Sequence, residues 1–370
     1  MTRRASIPTF RFSHLLGAVA WMALVLSLVN LTGYFFGHFY YALELVSHFR
    51  AQTLVVSLVG VVCFLWIDLG WQRSRHWPTP IHALGLSMSL FCLGANLVAL
   101  LPWYFPPAPT ANGGEALRCL VANVYGENSQ YDRLLALIDR TEPDVVVLLE
   151  VTPPWLEALQ PLDRTFPHHV PLARRDSFGV ALYSRLPLDR VEVETFGKTD
   201  LPTIVADLTW NQHPFRLYSV HPPPPISARG FALRNALLKQ WATEIMASDR
   251  PVIMAGDWNL SPWSPHYQQF IQQTELRNSS QGFGIQPTWP TPGVLSQKVL
   301  EKSGWADRST GFTPNSPWPW GEGFWQIPID HVLISPHWRS VGFQRGEPIG
   351  SDHYPVIVDL QWHPAFHSPP

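Results

Sequence analysis

Two long stretches without a charged residue constrain this chain more than any other feature of its sequence. The first, residues 15–36, has 22 residues; the second, residues 81–105, has 25, with His82 and Asn96 as its only strongly polar side chains. About 20 apolar residues in a helix suffice to cross a hydrocarbon core about 30 Å thick. Each stretch is therefore predicted to be a transmembrane helix.

A third apolar run, residues 51–69, lies between these two. It carries Asp68 at its end, where the carboxylate can reach lipid headgroups. The alternative is a cleaved signal peptide followed by buried core helices, but the first run is too long for a signal sequence and no small-x-small cleavage site follows it. We expect a membrane domain at residues 1–105, a bundle of about three transmembrane helices that contacts the lipid bilayer.

Basic residues near the spans predict the orientation, because cytoplasmic loops are enriched in Lys and Arg. With three spans, two arginine clusters fall on the same side: Arg3, Arg4, Arg11, Arg73 and Arg75. Arg50 alone lies in the first loop. The sequence therefore predicts a multi-pass protein of the cell (inner or plasma) membrane, with everything after residue 105 extracytoplasmic. Two spans would reverse this orientation.

The composition changes after the last apolar run. Residues 106–114 are rich in Pro, Gly and Asn, which predicts a linker, and residues 115–370 are predicted to form a catalytic domain. Residues 111–370 contain 20 basic and 26 acidic residues, a net charge of −6 with His neutral. Proteins that hold duplex nucleic acid usually present a basic face; the average charge indicates none, although a local patch is compatible with it. The three cysteines provide neither a disulfide framework nor metal-thiolate spacing.

Short apolar runs rich in β-forming residues recur through the soluble part. They are residues 117–124, 145–151, 179–183, 203–208, 215–220, 251–255, 329–334 and 355–360. Helical periodicity lies between some of them, at 131–139 and 229–246. Mixed strands and helices with short connections predict an α/β (α+β) domain.

Polar residues of metal-ligand or acid/base type stand at the ends of these runs. They are Asn123, Glu150, His221, Asp257, Asn259, Asp330, Asp352 and His353. One such residue alone is more often a cap or a satisfied turn than a ligand. Strands of a sheet end together at one edge, however, so the whole set can converge on one pocket.

The same segments resemble the endonuclease/exonuclease/phosphatase (DNase-like) superfamily, in a bacterial membrane-anchored type. The specific pieces are Gly256-Asp-Trp-Asn259 and Ser351-Asp-His353, and the match extends over nearly all of residues 115–362. One departure is Leu149, where many members have Gln before the Glu. The resemblance implies a four-layer sandwich of two mixed β-sheets flanked by helices.

The resemblance also implies a site for Mg²⁺ or Mn²⁺ with the ligands Asn123, Glu150 and Asp352, since hard cations prefer oxygen donors. Asp257 would orient or deprotonate the attacking water, and Asn259 would hold that water or a phosphate oxygen.

His353 would hydrogen-bond a phosphate oxygen while Asp330 holds its tautomer, and His221 would be the second imidazole. The residues that bind the rest of the substrate are unknown at this stage. His331 is interpreted as structural because it points away from Asp330 on the same strand. Arg234 is interpreted as part of a solvated helix face.

These roles describe a membrane-anchored, divalent-metal-dependent phosphoesterase that hydrolyses a phosphodiester or phosphomonoester by in-line attack of water. Nucleic acid and a phospholipid headgroup both remain possible substrates. The alternative is a catalytically inactive binding or sensor module on the same fold, which predicts ionisable residues inside the spans. No protein partner can be inferred from the sequence.

Overall fold

The computed structural model describes residues 9–73, 79–109, 113–196, 199–291 and 322–363, and the chain divides into two units, 1–101 and 102–370. Arg3, Arg4 and Arg75 of the two basic clusters, and residues 110–112 of the predicted linker, lie outside the described residues. The domain limits expected from the sequence stay predictions.

The first unit is helical and consists of α1 (Thr9–Phe36), α2 (Tyr41–Ser47), α3 (Arg50–Arg73) and α4 (Pro80–Leu100). The Ser27 and Ser57 hydroxyl oxygens are 2.9 Å apart. Further along α1, Asn30 Oδ1 accepts a hydrogen bond from Nη1 of Arg50 at 3.3 Å. Later residues of α1 thus meet earlier residues of α3, so these two helices are antiparallel.

Among the residues that the structure describes, three helical segments are long and apolar enough to cross a membrane: His14–Phe36, Arg50–Gly70 and Pro80–Trp103. Their outer faces expose large apolar side chains, among them Trp66 at 64% and Phe91 at 65%. Such helices bury polar groups against one another and present apolar groups outward, as expected of spans in lipid. The predicted helical bundle is confirmed in this sense.

The second unit contains two six-stranded sheets. The first sheet has the order β11-β12-β1-β2-β4-β3 and the second β5-β6-β7-β8-β10-β9. The strands are β1 (Leu117–Asn123), β2 (Val145–Leu149), β3 (His168–Leu172), β4 (Val180–Ser184), β5 (Leu188–Thr195), β6 (Pro202–Trp210), β7 (His213–Val220), β8 (Val252–Asp257), β9 (Arg277–Asn278), β10 (Asp330–Ile334), β11 (Trp338–Arg345) and β12 (Val356–Trp362).

Each sheet is mixed because one pair of its neighbouring strands is joined by a helical crossover and is therefore parallel. The helices of this unit are α5 (Tyr131–Thr141), α6 (Pro153–Ala158), α7 (Ala228–Ala247) and α8 (Pro265–Thr274), with short 3-10 turns at Leu101–Trp103, Gln160–Arg164 and Glu322–Trp325. Strands β1 and β2, joined through α5, are parallel, as are β7 and β8, joined through α7. The remaining pairs are antiparallel.

Alternation along the strands builds four layers. On β1, Cys119 and Val121 face a core shared with the second sheet, whereas Leu120 and Ala122 face α5 and α6. The outer face of the second sheet packs in the same way against α7 and α8, around the buried Trp241. Two apolar faces per sheet explain the continuous apolar runs in the sequence, and the predicted four-layer sandwich is confirmed.

Candidate active site

The ends of β1 and β2 place two polar side chains side by side. Asn123 is the last residue of β1 and is 1% exposed. Its Nδ2 donates to Oε1 of Glu150 at 3.0 Å and to Oδ2 of Asp257 at 3.1 Å. Glu150 belongs to the first sheet and Asp257 to the second, so one amide joins the polar ends of both sheets.

The carboxylate of Glu150 is held by neutral donors. Besides Asn123, the N–H of Gly126 donates to Oε2 of Glu150 at 3.3 Å. Glu150 itself has a φ of +60°, in the left-handed region that non-glycine residues rarely adopt. Since both donors are uncharged, the negative charge of this carboxylate is available to a cation.

The opposite wall comes from β8 and β10. Asp257 is the last residue of β8 and Asp330 the first of β10, and the antiparallel register sets these two residues opposite each other. Gly256 is required beside them: its φ is +157°, and a Cβ there would lie 1.9 Å from the carbonyl oxygen of Val220 on β7. Only glycine lets β7 approach β8 this closely.

Two imidazoles face Asp257. Nε2 of His221 lies 3.4 Å from Oδ2 of Asp257, and Nε2 of His353 lies 3.6 Å from the same atom. Nδ1 of His353 is 2.9 Å from Oδ2 of Asp330. An ionised Asp330 accepts a hydrogen bond from Nδ1, and this contact directs Nε2 of His353 toward Asp257.

The charges of these groups shift one another. Burial would lower the pKa of His353, but Asp330 and Asp257 raise it to about 10. Burial also lowers the pKa of His221, but Asp257 and Glu150 raise it by more, so this pKa lies above its ordinary value. The pKa of Asp257 falls to about 2 despite its burial, because both histidines favour the ionised carboxylate. The site therefore pairs an anionic Asp257 with the imidazolium of His353, and the same carboxylate favours the protonated form of His221.

Asp330 behaves differently from Asp257. Burial raises its pKa and the charge of Asp257 adds to this, while His353 opposes the shift. Asp330 thus depends on His353 for its ionised state, and the two groups form a buried pair.

Asn259 lies at the rim of this wall. Its φ is +50°, another left-handed residue, and its N–H donates to Oδ1 of Asp257 at 2.9 Å. Its Nδ2 donates to the carbonyl of Pro222 at 2.9 Å, which fixes the loop that follows His221. Asn259 therefore orients the carboxylate of Asp257 through its backbone and the loop of His221 through its side chain.

Asp352 and His353 are positioned by two hydroxyl residues, Ser351 and Thr291, whose hydrogen-bonding roles were not predicted from the sequence. Ser351 Oγ donates to the carbonyl of Asn123 at 2.7 Å and accepts from the N–H of His353 at 3.0 Å. The N–H of Thr291 donates to the carbonyl of Asp352 at 2.9 Å, and its Oγ1 donates to the carbonyl of Ser351.

Thr288 plays the matching part for β10, where its Oγ1 accepts the N–H groups of Ile329 and Asp330, each at 3.2 Å. Nothing in a Pro- and Trp-rich segment marks these threonines.

The donor set fits a hard divalent cation. Carboxylates and amides are the ligands such ions prefer. Asp257, Asp330 and His353 each offer a donor atom within 4.8 Å of the others, which differs from the ligands predicted from the sequence. Because His353 and Asp330 already satisfy each other at 2.9 Å, we favour the side of Glu150 and Asp352 for the cation. Ligation by Asn123 through Oδ1 would require its amide to turn, because Oδ1 accepts the N–H of Tyr125 here.

Two further residues singled out in the sequence lie away from this cluster. His331 is 2% exposed; its Nδ1 is 3.1 Å from Nδ2 of Asn278 and its Nε2 is 2.8 Å from the carbonyl of Leu260. Burial lowers the pKa of His331 to about 4, so it is a neutral structural group. The solvated interpretation of Arg234 is wrong: this side chain is 0% exposed, and its Nε donates to Oδ1 of Asn235.

Comparisons with solved structures returned chains of low sequence identity. TDP2 of D. rerio, solved with a single-strand DNA product, has 16% identity and a TM-score of 0.49, over 67% of this chain and 100% of that one. The endonuclease/exonuclease/phosphatase of Beutenbergia cavernae has 18% identity and a TM-score of 0.49, over 68% and 73%. Sphingomyelinase C of Streptomyces griseocarneus has 16% and 0.45, over 66% and 99%.

A search of curated proteins gave no match. The sequence profile of the Endonuclease/Exonuclease/phosphatase family matches residues 120–353, which is more than half of the chain and extends from β1 to His353. This chain therefore belongs to the Endonuclease/Exonuclease/phosphatase family.

Proposed function

We propose that this protein is a membrane-anchored, divalent-metal-dependent phosphoesterase. One observation carries the proposal: at the joined ends of two sheets, Asn123 links Glu150 to Asp257 at 3.0 and 3.1 Å, and His353 lies 3.6 Å from Asp257. Anionic ligands on one side and cationic imidazoles on the other suit a reaction in which negative charge grows on a phosphoryl group.

Glu150 and Asp352 would hold Mg²⁺ or Mn²⁺ with the help of Asn123. A cation bound there supplies Lewis-acid polarisation of the phosphoryl oxygen and stabilisation of the leaving oxygen. The carboxylates of Glu150 and Asp352 both raise the pKa of Tyr125, after the larger effects of burial and Glu127, so both lie near this ring.

Asp257 would orient the attacking water. With a pKa of about 2 its carboxylate is a weak base, so holding the water in line contributes more than accepting its proton early. The N–H of Asn259 fixes Oδ1 of this carboxylate at 2.9 Å. The side-chain amide of Asn259 would contact the same water or a phosphate oxygen.

His353 and His221 would hold the phosphoryl oxygens. As an imidazolium, His353 donates from Nε2 while Asp330 keeps Nδ1 occupied. The positive charge is present before the reaction begins, so it stabilises the developing charge without reorganisation.

Membrane attachment with the catalytic unit outside the cytoplasm completes the proposal. Arg50, which the sequence places in the first loop, is the first residue of the second candidate span and is 2% exposed. Its Nη1 donates to Asn30 and Asn96. Because this guanidinium is hydrogen-bonded inside the helical unit, it does not contribute positive charge to the loop. The other basic residues near the spans therefore decide the orientation. An extracytoplasmic reporter fused at Asn112 should be active; activity of a cytoplasmic reporter there instead would contradict this.

The substrate is a phosphate ester, with nucleic acid and a phospholipid headgroup as the two classes to separate. Among the similar structures one is a DNA-product complex and another a sphingomyelinase. The purified full chain in detergent should be assayed with Mg²⁺ against single-stranded and duplex DNA, RNA, phospholipids, sphingomyelin, inositol phosphates and bis(4-nitrophenyl) phosphate. Hydrolysis of at least one that is lost with chelator and in Asp257→Asn is the expected result; no hydrolysis of any would refute the proposal.

A non-catalytic sensor on the same fold is the second candidate, and one observation favours it. Arg50, Asn30, Asn96 and Ser57 form a buried hydrogen-bonded chain inside the helical unit. Polar groups inside a membrane bundle often have functions of their own. A sensor would bind phosphate esters without turnover and would respond to Arg50→Gln. An enzyme would show turnover that Arg50→Gln leaves intact wherever the helices still assemble.

A further inference from the structure

The chain that leaves the third candidate span is fixed to a loop of the catalytic unit. Trp103 is the last residue of this span. Its carbonyl accepts the N–H groups of Gly282 at 3.0 Å and of Gly284 at 2.8 Å, and the N–H of Ala108 donates to the carbonyl of Gly282 at 3.1 Å. Residues 103–108 are therefore docked along this loop.

The docking is specific to glycine at position 282. Gly282 has a φ of +88°, and a Cβ there would lie 2.5 Å from the backbone nitrogen of Ala108. Gly284 has a φ of +85°, and a Cβ there would lie 3.0 Å from the ring of Tyr104. Trp103 is 6% exposed and packs edge-on against Trp263, with the two ring centroids 6.3 Å apart. Backbone bonds and a buried aromatic pair together fix the segment more tightly than a flexible linker would.

The same loop continues directly into the candidate active site. Thr288, four residues after Gly284, accepts the N–H of Asp330, and Thr291 donates to the carbonyl of Asp352. Four extended residues span at most about 14 Å. One hydrogen bond joins Gly284 to Trp103 and another joins Thr288 to Asp330. With both included, the backbone of Asp330 lies within roughly 20 Å of Trp103.

Apolar side chains accompany the docked segment on its exposed side. Leu101 is 52% exposed, Tyr104 48% and Phe105 61%. Aromatic residues directly beyond a span are enriched at the level of lipid headgroups. We call Tyr104, Phe105 and the loop 281–284 the post-span surface.

We propose that the post-span surface rests on the headgroups of the bilayer, and that the substrate is the phosphate ester of a lipid in the same membrane. This inference rests on the proposed function and names its substrate class. Headgroups extend roughly 5–8 Å beyond the hydrocarbon core of each leaflet. A site within roughly 20 Å of the end of the span is thus held near the layer that presents lipid phosphates. The net charge of −6 after residue 110 favours this substrate over a nucleic acid strand.

The proposed position of the post-span surface at the lipid headgroups can be tested without an enzyme assay. Gln281 is exposed on the loop, and the three native cysteines, Cys63, Cys92 and Cys119, are buried. A fluorophore on Gln281→Cys should be quenched in vesicles of phosphatidylcholine that contain a lipid with a nitroxide on its headgroup. The same vesicles without the nitroxide provide the reference. A label that is not quenched would overturn the placement of the post-span surface.

The substrate class is tested by where the lipid is offered. The full chain is reconstituted into vesicles that contain phosphatidylethanolamine, phosphatidylglycerol, phosphatidic acid or sphingomyelin, or is mixed with separate vesicles of the same lipid. Attachment to the same membrane raises the effective concentration, so hydrolysis in the same vesicle should be at least about tenfold faster. Equal rates, or faster hydrolysis of single-stranded DNA than of any lipid, would overturn the proposal.

Two matched glycine variants test the docking itself. Gly282→Ala and Gly113→Ala both place a side chain at a positive φ, but a Cβ at Gly113 meets nothing within 4 Å. Gly282→Ala should lower hydrolysis of lipid in the same vesicle about tenfold, with hydrolysis of soluble bis(4-nitrophenyl) phosphate within about twofold of wild type. Gly113→Ala should leave both rates unchanged.

An insertion provides a second route if Gly282→Ala fails to fold. Ten Gly and Ser residues between Leu101 and Pro102 keep the docking contacts but add a tether of roughly 16–19 Å. Lipid hydrolysis should fall several-fold while the soluble substrate is unaffected; unchanged lipid hydrolysis in both variants would overturn the inference. If wild type hydrolyses neither lipid nor soluble ester, the proposed function has failed instead.

Discussion

The two sheets contribute different chemistry to the same site. The first sheet supplies oxygen donors from the ends of β1 and β2 and from the segment before β12: Asn123, Glu150 and Asp352. The second supplies acid/base groups and their supports from β7, β8 and β10: His221, Asp257, Asn259 and Asp330. The sheets meet where Asn123 bridges Glu150 and Asp257 at 3.0 and 3.1 Å.

His353 shows that hydrogen-bond partners decide a role more than the sheet of origin does. It precedes β12 of the first sheet, next to Asp352, yet its imidazole contacts Asp330 and Asp257 of the second. The comparison teaches that a cation belongs with the side held by neutral donors, and proton transfer or charge stabilisation with the side where carboxylates and imidazoles pair. Each prediction below tests one side of this division.

The largest effect on turnover is expected from the side of the site where carboxylates and imidazoles pair, which we call the second side; the side of Asn123, Glu150 and Asp352 is the first side. His353→Ala removes a preformed positive charge and Asp257→Asn removes the carboxylate that orients water, so turnover should fall by roughly 10²–10⁴ in each. Mn²⁺ affinity, measured by calorimetry, should stay close to that of wild type. A loss of metal affinity as large as the loss of turnover would move the cation to the Asp257 side.

The first side should respond in the opposite way. Glu150→Ala removes an anionic ligand, so Mn²⁺ affinity should fall roughly 10–100-fold. Glu157→Ala is the matched control, because Glu157 is an exposed glutamate on α6 outside the hydrogen-bonded cluster. Unchanged Mn²⁺ binding in Glu150→Ala would show that this side does not hold the cation.

The pH dependence of stability isolates the neutral histidine behind the second side. Burial lowers the pKa of His331 to about 4 from an ordinary value of 6.5. Between these two pKa values His331 is protonated in the unfolded chain but neutral in the folded chain. The contribution of His331 to the free energy of unfolding is therefore fully present above pH 6.5 and is lost as the pH falls toward 4. Between pH 7 and pH 5 this group should reduce the free energy of unfolding by about 2 kcal/mol.

Denaturant unfolding of wild type and of His331→Gln at both pH values measures this contribution. The glutamine amide can still donate and accept, but it does not titrate, so its unfolding free energy should change less between the two pH values. His221 and His353 have raised pKa values and act with the opposite sign, losing stability as the pH rises. An equal pH dependence in both proteins would contradict the burial of a neutral His331.

The smallest effect is expected from the support of Asp330. Thr288→Val leaves the N–H groups of Ile329 and Asp330 without an acceptor, which should lower turnover about tenfold or less. Thr288→Ser keeps the oxygen and should restore it. A serine variant as slow as the valine variant, with wild-type stability, would show that the methyl group rather than the hydrogen bonds matters.

The eight strands predicted from apolar runs are the interior strands of the two sheets, and the four missed are their edges, β3, β5, β9 and β11. The reason is physical. Interior strands pack on both faces and read as continuous apolar runs, whereas β5, for example, alternates exposed and partly buried residues and contains four charged side chains. An edge strand of this kind has no local apolar signal.

The candidate site follows the same logic. Side chains that end interior strands could be found from the sequence, because the end of an apolar run marks where a strand leaves its sheet. Thr288 and Thr291 could not be found, since they act through backbone groups that are distant in the sequence. Ser351 lies in a recognised motif, but its hydrogen bonds to Asn123 and His353 could not be predicted from it. The burial of Arg234 was missed because helical periodicity alone does not show what covers a helix face.

The most direct test of the division between the sheets is a Mn²⁺ titration of turnover in Glu150→Ala and His353→Ala, with bis(4-nitrophenyl) phosphate as substrate. Excess Mn²⁺ should restore much of the activity of Glu150→Ala, because a weaker site can still be filled. It should leave His353→Ala slow at every concentration, because the missing group acts on the phosphoryl oxygens. Rescue of His353→Ala by high Mn²⁺, with Glu150→Ala remaining inactive, would contradict the account.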